Sequence, residues 1–182
     1  TLLIDFLNQL KTYGNKTIAL LSELIQLLDH LPGSTKVDYQ DPSAKRIVLE
    51  NYFNSVEHSV SGRKEDIDID KLILDLKVKS EHISSHILEN EILTTKKGLR
   101  FFNGHYDNLE NKIGGEKNGS IMMDLTSQVI PIISNVSNKK MSTEVYEAIK
   151  KVLKDEDSPG IRLTSEFKEI DMNVGRITGF VY

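Results

Sequence analysis

The chain has 182 residues, enough for a domain with its own hydrophobic core. Its formal net charge is -4 and its sequence pI is about 5.7, which argues against a protein that binds the nucleic-acid backbone. It has no cysteine, which excludes disulfides and thiolate metal sites and fits a reducing cytoplasm. No apolar run reaches the roughly 18 residues of a membrane span. We therefore expect a cytoplasmic protein with neither a nucleic-acid nor a membrane partner.

Apolar residues recur at helical spacing through the N-terminal half of the chain. Residues 2–31 predict one long helix or two adjoining helices, and residues 43–60 predict the next. Residues 66–70 alternate Asp and Ile, a pattern that also fits a strand. Because carboxylates favour a helix N-terminus, we expect a helix to start there and to run to about Asn90.

The second half begins with a segment rich in Gly, Asn and Lys, residues 94–119, which predicts a long surface loop. Residues 121–136 predict a buried helix that Pro131 would bend, and residues 142–154 predict another. Residues 161–182 predict irregular structure with room for one small strand. The expected class is all-α, with long loops between the helices.

Two patterns have the spacing of metal sites. His82 and His86 stand four residues apart, on one face of a predicted helix, but no glutamate of the metalloprotease pattern lies between them. Asp66, Asp68 and Asp70 have the spacing of a calcium loop, although lysines replace the glycine and the glutamate that such a loop needs. We favour solvated side chains in both places and predict no metal site.

A set of short motifs occurs in order along the second half. Tyr106-Asp107-Asn108 comes first, followed by residues 125–134 with Leu125, Gln128 and a final Ile-Ile-Ser. Residues 160–163 (Gly-Ile-Arg-Leu) and residues 175–180 (Gly-Arg-Ile-Thr-Gly-Phe) complete the set. This ordered set resembles glycoside hydrolase family 94, the inverting glycoside phosphorylases typified by cellobiose phosphorylase. Asn135 departs from the family, which has a glycine after the serine.

The resemblance implies that the chain is part of an (α/α)6 catalytic barrel built from helical hairpins, with long loops lining the sugar site on one face. It implies a hexosyltransferase that cleaves a β-linked disaccharide or oligosaccharide with inorganic phosphate and releases a sugar 1-phosphate. No cofactor is implied beyond that co-substrate. The partners would be an oligosaccharide or sugar phosphate, and a second copy in a homodimer of the parent enzyme.

The same resemblance implies that the catalytic acid is not in this chain. In the family that acid stands in a Trp-Asn-Asp motif, and this sequence has no tryptophan. The chain opens at Thr1 within a helical pattern and closes at Tyr182 beside the last motif. We therefore expect residues 1–182 to be a catalytic domain truncated at both ends, and inactive alone.

The residues left to carry substrate contacts are Arg176, Thr178, Phe180 and Asp107. Arg176 has the forked donor geometry that suits sugar hydroxyls or a phosphate, and Phe180 would offer an apolar face to a sugar ring. The alternatives stay open: a surface ion pair for Arg176, a core position for Phe180 and a turn-forming role for Asp107.

A different reading is a helical interaction module without catalysis. The apolar stripes of residues 18–31 and 47–56 would then bind a partner helix. That hypothesis predicts that residues 94–119 are disordered and that residues 176–182 lie away from any pocket.

Overall fold

The computed structural model describes residues 2–117 and 119–166, and the chain forms two compact units, Thr1–Ile83 and Ser84–Tyr182. We call them the N-terminal unit and the C-terminal unit. Of the described residues, 46% are helical and 17% are in strands, and the strands form three two-stranded antiparallel sheets. The expected all-α class, with helical hairpins forming part of an (α/α)6 barrel, is therefore wrong: the chain is mixed α and β. Among the helices described here, none is both long and apolar enough to cross a membrane.

The N-terminal unit places four helical segments around one sheet. In chain order the elements are α1 (Leu2–Thr12), β1 (Thr17–Leu21), α2 (Ser22–Ile25), α3 (Pro42–Val56), β2 (Lys64–Asp68) and α4 (Ile69–Asn90), of which residues up to 83 belong to this unit. Strands β1 and β2 pair with Thr17 opposite Asp68 and Leu21 opposite Lys64. α4 ends at Asn90, as the sequence predicts.

All of β1, and β2 from Asp66 onward, lie where the sequence predicts helix. Gly14 has a φ of +86°, a conformation that suits glycine, and it ends the run of α1. Beyond it, Ile18 and Leu20 face the interior while Thr17 and Ala19 are exposed, which is the period-two pattern of a strand. In β2 the alternation at residues 66–68 is real strand structure, and Asp68 then accepts a hydrogen bond of 3.1 Å from Lys71 N in the first turn of α4.

The core of the N-terminal unit lies between α1, the sheet and the first turns of α4. Its buried members are Ile4, Leu7, Leu28, Ile67, Ile69, Leu72 and Ile73. α3 contributes no buried residue. This helix begins with Pro42, and the Asp41 side chain caps it by accepting a 2.8 Å hydrogen bond from Ser43 N.

The C-terminal unit holds the other two sheets. After the end of α4 its elements are β3 (Ile92–Thr94), β4 (Arg100–Phe102), β5 (Gly115–Lys117), β6 (Ser120–Met122), α5 (Leu125–Ile133) and α6 (Lys139–Val152). β3 pairs with β4, and β5 pairs with β6. The segment predicted as a long loop therefore contains two strands, and an isolated bridge joins Tyr106 to Lys112. The helix predicted over residues 121–136 spans only Leu125–Ile133, because residues 121 and 122 belong to β6.

The core of this unit forms where β4 meets α6. Phe101 and Phe102 are buried against Met141, Val145 and Ile149, which recur at the spacing of one helix face. Asn138 caps α6 by accepting a 2.9 Å hydrogen bond from Met141 N, so the helix starts earlier than residue 142.

Candidate functional site

The motif segments of the C-terminal unit are joined by hydrogen bonds. The amide of Gln128, on α5, accepts a hydrogen bond from Phe102 N at 2.7 Å and donates one to Phe102 O at 2.8 Å. Leu125 N donates to Leu163 O at 2.8 Å, which ties residues 160–163 to the start of α5. Gln128 is fully buried with its donors and acceptors satisfied, so its role is to hold β4 against α5.

The N-terminus of α5 is built on Asp124 and Ser127. Asp124 Oδ1 accepts from Ser127 N at 2.8 Å and from Ser127 Oγ at 2.7 Å, and Asp124 Oδ2 lies 3.8 Å from His105 Nε2. A Cβ on Gly104 would fall 1.5 Å from Ser127 Oγ, so only glycine allows this close approach. The hydroxyl of Ser127 donates to the same Asp124 carboxylate that caps α5, so it takes part in the helix cap.

A small cavity lies beside this cluster. It is lined by Gly104, His105, Asp124 and Thr164 among others, and its volume is about 20 Å³. A volume of that order accommodates about one water molecule. The cavity is therefore too small for a sugar ring.

Asp107, predicted to contact substrate, shapes its own turn. Its Oδ1 accepts hydrogen bonds of 2.8 Å from Leu109 N and from Asn111 N, and its Oδ2 accepts one of 3.0 Å from the Asn111 side chain. The hydrogen bonds from Asn111 hold the pKa of the Asp107 carboxyl below its ordinary value. The other predicted contact residues, Arg176, Thr178 and Phe180, lie outside the described residues.

Glu91, the residue that follows α4, holds the same loop in place through two hydrogen bonds. Its Oε1 accepts a 2.5 Å hydrogen bond from Tyr106 OH, and its Oε2 accepts one of 3.0 Å from Asn103 Nδ2. Burial, followed by the hydrogen bond to Glu91, raises the pKa of Tyr106 to about 12. Asn103 Oδ1 in turn accepts from Gly114 N at 3.1 Å, so the aromatic segment is ordered by its polar side chains.

The N-terminal unit contains a buried ionic cluster that the sequence analysis missed. Lys79 Nζ lies 2.6 Å from Asp29 Oδ1 and 2.5 Å from Asp75 Oδ2. Tyr39 OH donates to Asp29 Oδ1 at 2.5 Å, and His30 N donates to Asp75 Oδ1 at 2.9 Å. Asp29 and Asp75 are both buried. In the sequence they are carboxylates inside apolar runs, and Asp75 stands four residues before Lys79, which is the one available signal of an ion pair on a helix.

Hydrogen bonding sets the charge states of this ionic cluster. Burial raises the pKa of Asp29, but the hydrogen bonds from Lys79, Tyr39 and Val37 N outweigh burial and hold it well below its ordinary range. Burial and the hydrogen bond to Asp29 raise the pKa of Tyr39 to about 12. Burial lowers the pKa of Lys79, but its hydrogen bonds with Asp29 and Asp75 outweigh burial and raise it. Asp29 is therefore a carboxylate and Lys79 an ammonium at neutral pH.

Asp29, His30 and Asp75 offer three donor atoms within 4.8 Å of one another, which is the kind of set that binds a divalent cation. Lys79 Nζ contacts both carboxylates, so an ammonium already supplies the positive charge between them. The arrangement is that of an ion-pair network. Of the two histidines singled out for their spacing, His82 is half-buried and His86 is exposed. The His82 ring contacts that of Tyr39, with centroids 5.1 Å apart and the planes tilted by 37°.

A larger cavity, of about 600 Å³, adjoins the ionic cluster within the N-terminal unit. Side chains of five elements surround it, including Phe6 of α1, Leu20 of β1, Leu24 of α2, Leu49 of α3 and Leu76 of α4. Its lining is apolar except for Asp29, Tyr39, Lys45 and Lys79. The helical stripes of the sequence indicated an apolar surface, but not that β1 and α3 would leave a space between them.

Comparison with known proteins adds no relative: no protein-family model matches the chain, and no curated protein matches it.

Proposed function

We propose that this chain is part of a glycoside phosphorylase that resembles glycoside hydrolase family 94, and that its C-terminal unit helps to form the sugar site. The observation that carries the proposal is the ordered motif set, whose described members lie in one unit. The segment after Phe101, the start of α5 and residues 160–163 are linked through Gln128 and through the bond between Leu125 N and Leu163 O. The all-α barrel is no part of this proposal.

The reaction would be an inverting phosphorolysis. A carboxylic acid protonates the glycosidic oxygen while a phosphate oxygen attacks the anomeric carbon from the opposite face. The bond from that carbon to the leaving sugar breaks, the bond to phosphate forms, and the proton ends on the released sugar hydroxyl. The acid lies in a Trp-Asn-Asp motif in the family, so we assign no catalytic residue to this tryptophan-free sequence. Cytoplasmic location and a homodimeric parent enzyme belong to the same proposal.

Three residues would then contact the substrate directly, and Asp107 would act through its turn. Arg176, Thr178 and Phe180 would meet the acceptor sugar, with Asp107 contributing through the turn that it organises. The described geometry favours the indirect role for Asp107, because its oxygens already accept four hydrogen bonds from the backbone of residues 109 and 111 and from the Asn111 side chain.

The test is turnover by the protein expressed from its complete gene. β-Linked glucobioses and inorganic phosphate are supplied, and the released sugar 1-phosphate is identified by its anomeric proton signal. We expect the α-anomer, because the attack inverts the β-linkage. Absence of any sugar 1-phosphate, or a β-anomer, would refute the proposal.

A matched pair of variants tests the assignment of Arg176. Arg176→Ala should raise the KM for the disaccharide about tenfold, the effect of losing one charge-assisted hydrogen bond. Arg46→Ala is the control, because Arg46 is exposed and pairs with Glu50 at 2.6 Å on α3. Equal kinetics for the two variants would remove Arg176 from the site.

The interaction module remains a second candidate because α3 exposes apolar side chains. Ile47 and Phe53 are each 59% exposed, and α3 has no buried residue. The strands within residues 94–117 count against it, because that hypothesis expected disorder there. If the complete protein turns over no β-glucoside, this candidate takes precedence.

A further inference from the structure

The apolar cavity of the N-terminal unit has the volume of a ligand site. Pockets for small molecules commonly measure roughly 300–1,000 Å³ and are mostly apolar with a few placed polar groups. This cavity has about 600 Å³ and only four lining residues that carry polar atoms on their side chains. Nothing in the proposed sugar chemistry uses it, and it lies in a different unit from the motifs.

The charges on the cavity wall are not equivalent. Asp29 and Lys79 are bound to each other at 2.6 Å, and Lys79 is also held by Asp75. Asp29 further accepts hydrogen bonds from Tyr39 OH and from Val37 N at 3.0 Å. The polar contacts of these groups are therefore made within the ionic cluster, in which two acidic side chains outnumber one lysine.

Lys45 is different. Its ammonium makes no hydrogen bond or ion pair with any residue that the structure describes, although its side chain lines the cavity. Val48 and Leu49 line the same cavity, and they follow Lys45 by three and four residues on α3. Residues at that spacing share a helix face. α3 therefore presents one unpaired cation beside an apolar surface.

The lining suits a flexible apolar chain with one charged end. Apart from Asp29, Tyr39, Lys45 and Lys79 the lining side chains are apolar, and Lys45 is the member of that set whose charge has no partner among the described residues. A single acyl chain adapts its torsions to an irregular apolar space and needs only one polar contact at its end.

We propose that this cavity binds an amphipathic carboxylate, an unbranched acyl chain whose head group pairs with Lys45. The chain replaces water along the side chains of Phe6, Leu20 and Leu24, and the gain grows with the apolar area covered. The carboxylate lies at Lys45 rather than at the ionic cluster, because the buried Asp29 and Asp75 would repel it there.

The experiment is calorimetric titration of the 182-residue chain with dodecanoate below its micellar concentration. Dodecanol and dodecyltrimethylammonium serve as head-group controls with the same chain length. We expect saturable binding of one dodecanoate, at least tenfold tighter than the cationic amphiphile. Equal affinity for the three probes, tightest binding of the cation, or no saturable binding would overturn the proposal.

Two pairs of variants locate the site. Lys45→Glu should weaken dodecanoate binding about tenfold, whereas Arg46→Glu, at the neighbouring exposed position outside the cavity lining, should not. Leu24→Trp fills the cavity and should abolish binding, whereas Leu74→Trp alters an exposed position of α4 and should leave it intact. Circular dichroism checks the fold of each variant.

A second occupant would give a different result. Sedimentation would show whether the chain forms a concentration-dependent dimer. If it does, and if Leu24→Trp dissociates the dimer while dodecanoate does not, a second copy of the chain covers the cavity and the proposal is wrong. Equal loss of dodecanoate binding in the two charge variants would also overturn it. None of these results bears on phosphorolysis, so the two proposals fail independently.

Discussion

Replacing Lys79 with methionine isolates the role of the buried ionic cluster. Methionine keeps most of the apolar stem of lysine but removes the ammonium that lies 2.6 Å from Asp29 and 2.5 Å from Asp75. Two buried carboxylates would then share one pocket without a cation. We expect this variant to be strongly destabilised, because an uncompensated buried charge costs far more than the pair contributes when intact.

The magnitude follows from the geometry. At an effective dielectric constant of about 20, each contact at this distance corresponds to about 6 kcal/mol of Coulomb attraction before desolvation is subtracted. Desolvation takes back several kcal/mol per ion, and breaking one partner of a buried pair typically costs about 3–5 kcal/mol. Lys79 retains 27% of its side-chain exposure, so solvent screens it in part and we expect about 3 kcal/mol.

Urea denaturation followed by hydrogen exchange and mass spectrometry gives the free energy of unfolding from peptides of the N-terminal unit. Lys77→Met is the matched control, since Lys77 is exposed on the same helix. Adding Asp75→Asn to Lys79→Met removes one of the two like charges and should recover more than half of the loss. A loss below about 1 kcal/mol would refute the reasoning, because exposed ion pairs typically contribute no more than that. No recovery of stability in the double variant would refute it as well.

Two further predictions concern hydrogen bonds. Gln128→Leu should lower the free energy of unfolding of the C-terminal unit by about 2–4 kcal/mol in urea denaturation. The reason is that it leaves both Phe102 N and Phe102 O without a hydrogen-bond partner in the core. An unchanged free energy would show that the backbone of β4 finds other partners. The two tyrosines with a pKa raised to about 12 bind their protons more tightly when folded, so stability present below pH 10 should fall as pH rises from 10 to 12. Tyr39→Phe and Tyr106→Phe should each flatten part of that decline, and unchanged slopes would contradict the cause assigned here.

The elements that the sequence predicts well are those whose burial pattern is local. α4 ends at Asn90 and α6 forms near its predicted place, because each carries a stripe of apolar residues at helical spacing. The five residues of β1 adjoin helical runs and so predict helix, while the partner strand β2 lies more than 40 residues away. Pairing over that distance leaves no trace in a local window, and tertiary context overrides propensity.

In the candidate sites, too, the sequence reveals local features but not contacts between distant residues. Asp107 and Gln128 are visible in the sequence as polar residues in motifs, but their hydrogen bonds to residue 111 and to Phe102 are not. The sequence does not reveal the ionic cluster, because Asp29 and Asp75 are 46 positions apart and each interrupts an apolar run; they meet through Lys79. The cavity depends on the space between five elements, which no pattern along the chain records.

The hydrogen bonds of the motif residues limit what the family resemblance can mean for this chain. Gln128 clamps β4, Asp124 caps α5, Tyr106 binds Glu91 and Asp107 closes its own turn. A polar group that is fully committed to the scaffold has little capacity left for a substrate hydroxyl. If the phosphorylase proposal is correct, the motifs before residue 166 therefore act by positioning, and direct sugar contacts fall to the run from Arg176 to Phe180. The kinetics of Arg176→Ala then carry more weight than any variant at Asp107 or Gln128, where a loss of activity would equally follow from a loss of fold.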